Sequence, residues 1–213
     1  MSGKKNVVVI FIPLLLLLVI FGAAVHPARA ESVELLVNRW ALGVDNQPGC
    51  PGNLNGWQFN EYISLSRCYK NPAPPTGQTN GGAAFKNGPV SGSGGAGEVA
   101  TIWQDIEVAA RGLSPADEYQ MTFQTLFVSV GGQYAHFDLY GSEDGIDYEF
   151  ITRLVDWPND SSCGQAYWAV YCGTAVVPHY PYYRLQVDSV FTQQLGLKWT
   201  GLSLVAEPVE AAE

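Results

Sequence analysis

Tyr134-Ala135-His136-Phe137-Asp138-Leu139-Tyr140 is the stretch that decides the fold class. Successive side chains of an extended strand point to opposite faces. On that rule Ala135, Phe137 and Leu139 suit a core, while Tyr134, His136, Asp138 and Tyr140 share the other face. Gly141-Ser-Glu-Asp-Gly145 then turns the chain, because Asp-Gly readily adopts the positive φ angles of a hairpin. Residues 146–153 form the returning strand, and Glu143, Asp144 and Asp147 read as hairpin residues rather than ligands.

The same alternation extends outward in both directions. In residues 98–108, Ala100, Ile102, Gln104, Ile106 and Val108 oppose Thr101, Trp103, Asp105 and Glu107. In residues 119–130, Tyr119, Met121, Phe123, Thr125 and Phe127 oppose Gln120, Thr122 and Gln124. Arg111-Gly-Leu-Ser-Pro-Ala-Asp117 connects these two strands, and two late strands cover residues 182–191 and 197–205. Residues 41–97 are rich in Gly, Pro and Asn, which set turns and break regular structure. The acidic tail 207–213 is expected to fray. No helical period of any length follows the first thirty residues, and no repeat is visible. Short strands at close spacing predict an all-β sandwich or barrel.

The first thirty residues have the three parts of a secretory signal peptide. Lys4 and Lys5 supply positive charge, residues 7–24 are almost wholly apolar, and Ala28-Arg29-Ala30 is a small-x-small cleavage site before Glu31. A retained membrane anchor is the rival reading, since residues 7–25 approach the ~20 needed to cross a bilayer. Cleavage leaves 183 residues with 8 basic against 20 acidic side chains, a net charge of −12. That balance argues against nucleic acid or an anionic membrane as partner, both of which select basic patches. It suits solubility outside the cell and names no ligand.

All four cysteines, Cys50, Cys68, Cys163 and Cys172, follow the signal. An even count in that context implies two disulfides. Three pairings are open, and sequence proximity favours Cys50–Cys68 with Cys163–Cys172. Zinc would want closer Cys-x-x-Cys pairs with histidines nearby. Asn159-Asp-Ser161 is a glycosylation sequon, meaningful only in a glycosylating eukaryote.

Three stretches together carry a resemblance to a known superfamily. Thr101-Ile-Trp-Gln-Asp-Ile-Glu107, followed by Leu113-Ser-Pro-Ala-Asp-Glu-Tyr119, resembles a strand–turn–strand step common in secreted carbohydrate-binding modules. Phe137-Asp-Leu-Tyr-Gly-Ser-Glu-Asp-Gly-Ile-Asp-Tyr148 resembles a hairpin of the type strand, Ser-x-Asp-Gly, aromatic. Tyr182-Tyr-Arg-Leu-Gln-Val187 with Trp199-Thr-Gly-Leu-Ser-Leu-Val205 resembles the two closing strands. Residues 98–205 are thus similar to the galactose-binding-like jelly-roll superfamily of discoidin-type domains and carbohydrate-binding modules. The resemblance covers about half of the mature chain, and its motifs are structural rather than functional. It implies a single antiparallel jelly-roll β-sandwich over residues 31–206, which binds sugars, polymers or surfaces by loops or an exposed sheet face.

Two surfaces are candidates for that binding. On the outward side of residues 134–140, the rings of Tyr134 and Tyr140 suit the apolar face of a sugar, and His136 and Asp138 suit its hydroxyls. Trp103 and Asp105 join them if their strand lies in the same sheet. The structural alternative is that these aromatics form cross-strand pairs that merely stabilise the sheet. The second surface is the loop 156–171, where Trp157, Tyr167, Trp168 and Tyr171 gather around the Cys163–Cys172 link. Its alternative is a lid of rings over the end of the core. The resembling superfamily often carries a structural calcium ion, and Asp45, Asn46, Asn53 and Asn55 offer oxygen ligands, although turns use these residues anyway.

Catalytic signals are weak. Only His136 and His179 remain after the signal, and neither sits in a nucleophile, metal or phosphate motif. The sequence therefore predicts a secreted, non-catalytic module for a glycan or polysaccharide. The alternatives are a structural or adhesion component meeting an extracellular protein partner, and a polysaccharide lyase or glycoside hydrolase.

Overall fold

The chain divides into two compact units, Met1–Ala30 and Glu31–Glu213. The computed structural model describes residues 31–37, 56–60, 63–66, 84–87, 97–129, 132–164, 169–191 and 197–209, all within the second unit. Residues 1–30, read above as a signal peptide, and Cys50, Cys68, Tyr167, Trp168 and the four candidate calcium ligands lie outside the described residues.

Eleven strands are described. They are β1 (Val33–Glu34), β2 (Gln58–Phe59), β3 (Ile63–Ser66), β4 (Ala84–Asn87), β5 (Ala100–Glu107), β6 (Glu118–Ser129), β7 (Gly132–Ser142), β8 (Glu149–Trp157), β9 (Ala169–Pro178), β10 (Tyr182–Phe191) and β11 (Leu197–Pro208). The helical structure among the described residues is one 3₁₀ turn, Ala109–Arg111.

The strand pairing defines the topology. β7 pairs with β8, β6 with β9, β5 with β10 and β4 with β11, every pair antiparallel. The chain from β4 to β11 is thus one long ribbon doubled back on itself at the β7–β8 hairpin. Successive rungs of that ribbon fall alternately in two sheets, β3-β4-β11-β6-β9 with β1 beside β11, and β2-β5-β10-β7-β8. A ribbon wrapped in this way is a jelly roll. The all-β, antiparallel jelly-roll sandwich is therefore the fold.

Alternation fixes which side of each sheet is buried. β5 turns Ala100, Ile102, Gln104 and Ile106 inward, β7 turns in Ala135, Phe137 and Leu139, and β10 turns in Tyr183, Leu185 and Val187. From the other sheet come Tyr119, Met121, Phe123 and Phe127 of β6 and Trp199, Leu202, Leu204 and Ala206 of β11. The inward positions of β11 change parity between Trp199 and Leu202. A register shift against β6 between Thr200 and Ser203 accounts for this, with Gly201 at φ 60°. One extra residue flips the faces, and glycine accepts the left-handed backbone such a bulge needs.

Several boundaries differ from the sequence reading. β7 is longer at both ends, and the returning strand begins at Glu149 and runs to Trp157, leaving 143–148 as loop. β9 was not expected; Tyr171 and Cys172 stand in a strand rather than a loop. β11 continues into the start of the predicted tail: Glu207 and Pro208 pair with Gln120 and Tyr119, and the Val209 amide donates to the Glu118 carbonyl at 3.0 Å.

Candidate binding site

The outer face of the five-stranded sheet is built in cross-strand rows, because directly opposed residues project to the same side. One row is Gln58, Trp103, Gln186, Asp138 and Arg153. A second is Asp105, Arg184, Tyr140 and Phe150, and a third is Thr101, Asp188, His136 and Asp156. β5 and β7 therefore share this sheet, as flanks of the central β10. The structure brings Trp103, Asp105, Tyr134, His136, Asp138 and Tyr140 onto one face.

Rings and charges interlock on it. Tyr134 and His136 stack at 4.4 Å between centroids, and Tyr140 meets Phe150 edge-on at 5.7 Å. The Arg184 guanidinium lies 4.0 Å from the centre of the Tyr148 ring and 5.6 Å from that of Trp103, both favourable cation–π placements. The same guanidinium grips Asp105 with two hydrogen bonds, Nε to Oδ1 at 2.6 Å and Nη2 to Oδ2 at 3.1 Å. Gln58 also donates to Asp105, at 2.9 Å. Arg153 grips Asp138 in the same two-pronged way, at 2.7 and 3.1 Å. Register shifts in the β7–β8 ladder on either side of the Asp138–Leu139 pair bring Arg153 opposite Asp138.

Asp188 stands in the third row, next to the row of the Asp138–Arg153 pair. Its two oxygens accept from the Thr101 hydroxyl at 2.7 Å and the Gln186 amide at 2.8 Å, and among the described residues no cation pairs with it. His136 Nε2 lies 3.2 Å from Asp156 Oδ1. The Trp103 indole N–H is buried without a hydrogen-bond partner. Burial raises the Tyr134, Tyr140 and Tyr148 phenols above their ordinary pKa, and nearby carboxylates push the same way: Asp188 on Tyr134, Asp138 and Asp188 on Tyr140, Asp105 on Tyr148. All three remain protonated, so each can donate a hydrogen bond at neutral pH.

Asp138 is only 4% exposed and is held by Arg153, so it organises this face from beneath. Sequence reasoning missed Tyr148, Phe150, Arg153, Asp156, Arg184, Gln186 and Asp188. The alternation of Tyr182, Arg184, Gln186 and Asp188 was a usable signal, but it becomes informative only once β10 is known to be central.

The second surface is arranged differently. The Cys163–Cys172 disulfide is formed, with Cα atoms 5.9 Å apart. Trp157 and Tyr171, both partly buried, pack against Phe127 of the core at 5.1 and 5.8 Å between ring centroids. The two rings stand on the edge strands β8 and β9 and meet the core at Phe127. The Asp156–Asp160 turn beside them is closed by Asp160 N to Asp156 O at 2.7 Å and Asp156 N to Asp160 Oδ2 at 2.6 Å.

The geometry defines a jelly-roll sandwich with a ring-and-carboxylate face on one sheet. Solved structures with some likeness include the carbohydrate-binding and catalytic module pair of the Clostridium thermocellum endo-1,4-β-D-xylanase 10B with xylohexaose. That match has 12% identity and TM-score 0.46, over 85% of this chain and 30% of that one. A cyclase from Fischerella sp. TAU matches at 12% identity and TM-score 0.48, over 84% of this chain and all of that one. A xylan-binding domain from Paenibacillus barcinonensis Xyn10C matches at 8% identity and TM-score 0.44, over 84% and 95% of the two chains. No protein-family model matches the chain, and no curated protein matches it in sequence.

Proposed function

We propose that the chain is an exported, non-catalytic glycan-binding module that docks its ligand on the outer face of the five-stranded sheet. The observation that carries this reading is the alternation, across four neighbouring strands, of Trp103, Tyr134, His136, Tyr140 and Phe150 with hydrogen-bonding carboxylates. A pyranose ring has an apolar C–H face and a rim of hydroxyls, so it needs flat rings beside fixed polar groups. Mostly apolar surfaces with a few placed polar groups are the usual form of small-ligand sites. The groups stand on paired strands with their side chains locked by cross-strand hydrogen bonds, which lowers the ordering entropy lost on binding. The Cys163–Cys172 bridge supports an oxidising compartment, and the signal-like residues 1–30 support export with a mature start at Glu31.

Protein recovered from the culture medium, its start at Glu31 checked by mass, tests the reading by affinity electrophoresis and calorimetry on neutral and acidic polysaccharides. At least one is expected to bind, and Tyr140→Ala to weaken it by about tenfold or more, as for aromatic anchors worth upwards of about 1.4 kcal/mol. Failure to bind any glycan, or unchanged affinity in a correctly folded Tyr140→Ala protein, would end this reading.

A further inference from the structure

Both arginines of the binding face are already committed. Arg184 spends Nε and Nη2 on Asp105 and lies over Tyr148; Arg153 spends the same atoms on Asp138, with Nη1 3.9 Å from Asp156. Against these two cations the described outward side chains include five carboxylates, on Asp105, Glu107, Asp138, Asp156 and Asp188. An incoming uronate or sulfate would meet a net negative field. To take the Nε–Nη2 edge of a guanidinium it would have to break a bidentate, charge-assisted pair, and in the Arg153 case leave the buried Asp138 uncompensated; the remaining N–H groups belong to a cation whose charge a carboxylate already balances.

We propose, resting on the glycan reading above, that this face selects glycans without acidic groups and anchors their hydroxyls on Asp188. Each carboxylate oxygen can accept two hydrogen bonds. Oδ1 of Asp188 takes one from Thr101 and Oδ2 takes one from Gln186, so each keeps an acceptor position. Two parallel acceptors on one partly exposed carboxylate match two neighbouring hydroxyls of a sugar. Asp188 is placed for this: it lies on the central strand, opposite His136, whose ring forms a platform with Tyr134. The two Asp–Arg locks are then the specificity device, since they keep the guanidiniums from serving as anion sites.

Affinity electrophoresis of the full mature chain through gels containing neutral xylan, neutral galactan, polygalacturonate or dextran sulfate reads this directly. The wild type is expected to be retarded by a neutral polymer, with little dependence on salt, and by neither polyanion. Asp188→Asn, nearly isosteric and partly exposed, is expected to raise the Kd for the neutral polymer about tenfold or more, as loss of a charged acceptor does. Asp105→Asn, which unlocks Arg184, is expected to gain retardation by polygalacturonate that added salt abolishes. Circular dichroism checks that each variant is folded, and the wild-type arm needs no variant. Wild-type retardation by polygalacturonate overturns the selectivity while leaving the glycan reading standing. Neutral-polymer affinity unchanged in Asp188→Asn overturns the anchoring role, and a folded Asp105→Asn that ignores polygalacturonate overturns the lock. Retardation by none of the four polymers overturns this proposal and the glycan reading together.

Discussion

Gly173 shows how one residue can be constrained from across the fold. It lies on β9, opposite Phe123 of β6, and a Cβ built there would run into the backbone carbonyl of Leu154 on β8. The edges of the two sheets approach each other at this point. Because the obstacle is main chain, no rotamer change relieves it. Gly173→Ala is expected to lower stability by about 1–3 kcal/mol or more, as overpacking does. Urea unfolding with an unchanged midpoint would show that the edges are not in contact there. Nothing in Cys172-Gly-Thr signals this, since the constraint comes from a strand some twenty residues earlier. Asp138 carries the same lesson in polar form. Its place on the outward register of β7 was legible, but its two-pronged partner Arg153 was not, because that partner depends on bulges in the neighbouring strand.

The β7–β8 hairpin is the element whose local chemistry can be titrated. Asp144 Oδ1 accepts from the amides of Ile146 at 2.8 Å and Asp147 at 3.0 Å and from the Ser142 hydroxyl at 3.0 Å, while the Gly145 amide donates to the Ser142 oxygen at 2.9 Å. The two amide bonds are the main reason that the Asp144 carboxyl is held below its ordinary pKa, with the Ser142 bond adding to them. A lowered folded value means the ionised form closes the turn. That support is complete above the ordinary carboxylate value of about 3.9 and is lost as pH falls through the lower folded value. The amide proton shifts of Ile146 and Asp147 are expected to titrate with a midpoint below about 3.9, and Asp144→Ala to abolish the transition. A midpoint at or above that value would remove the capping role. The Asp-Gly turn and the outward face of β7 were readable here because both are set by residues close in sequence. The start of β8 was not, since the Asp144 network holds 143–148 as loop against the strand-like look of Ile146 and Tyr148. β9 escaped notice because its aromatic and cysteine residues drew a loop reading, and an edge strand needs little two-sided pattern to pair.

At the scale of the whole molecule, periodicity announced two apolar-faced layers, but strand order came from contacts no local pattern encodes. β4 pairs with β11 across more than half of the chain, and the order β2-β5-β10-β7-β8 decides which outward residues become neighbours. Only part of the candidate site was therefore visible: the outward sets of β5 and β7 could be read, and their assembly into rows with β10 and β8 could not. The two sheets meet face to face, and Phe137 lies where they do. Its ring projects from β7 to within 5.3 Å of Phe123, 6.4 Å of Phe127 and 6.5 Å of Trp199, centroid to centroid, all three on the opposite sheet. Phe137→Ala removes those inter-sheet contacts and leaves a cavity where neither sheet can easily close. The expected cost is about 3–5 kcal/mol, a large share of the roughly 5–15 kcal/mol that holds a typical domain together. Tyr140→Ala, three residues along the same strand but facing out, should cost far less, because its ring is partly exposed and leaves no sealed cavity. Denaturant unfolding should therefore give Phe137→Ala a much lower midpoint with a similar slope, and Tyr140→Ala a midpoint near that of the wild type. Equal losses in the two variants would mean that the inward and outward faces of β7 are not distinguished by packing, and the sandwich could not be arranged as described.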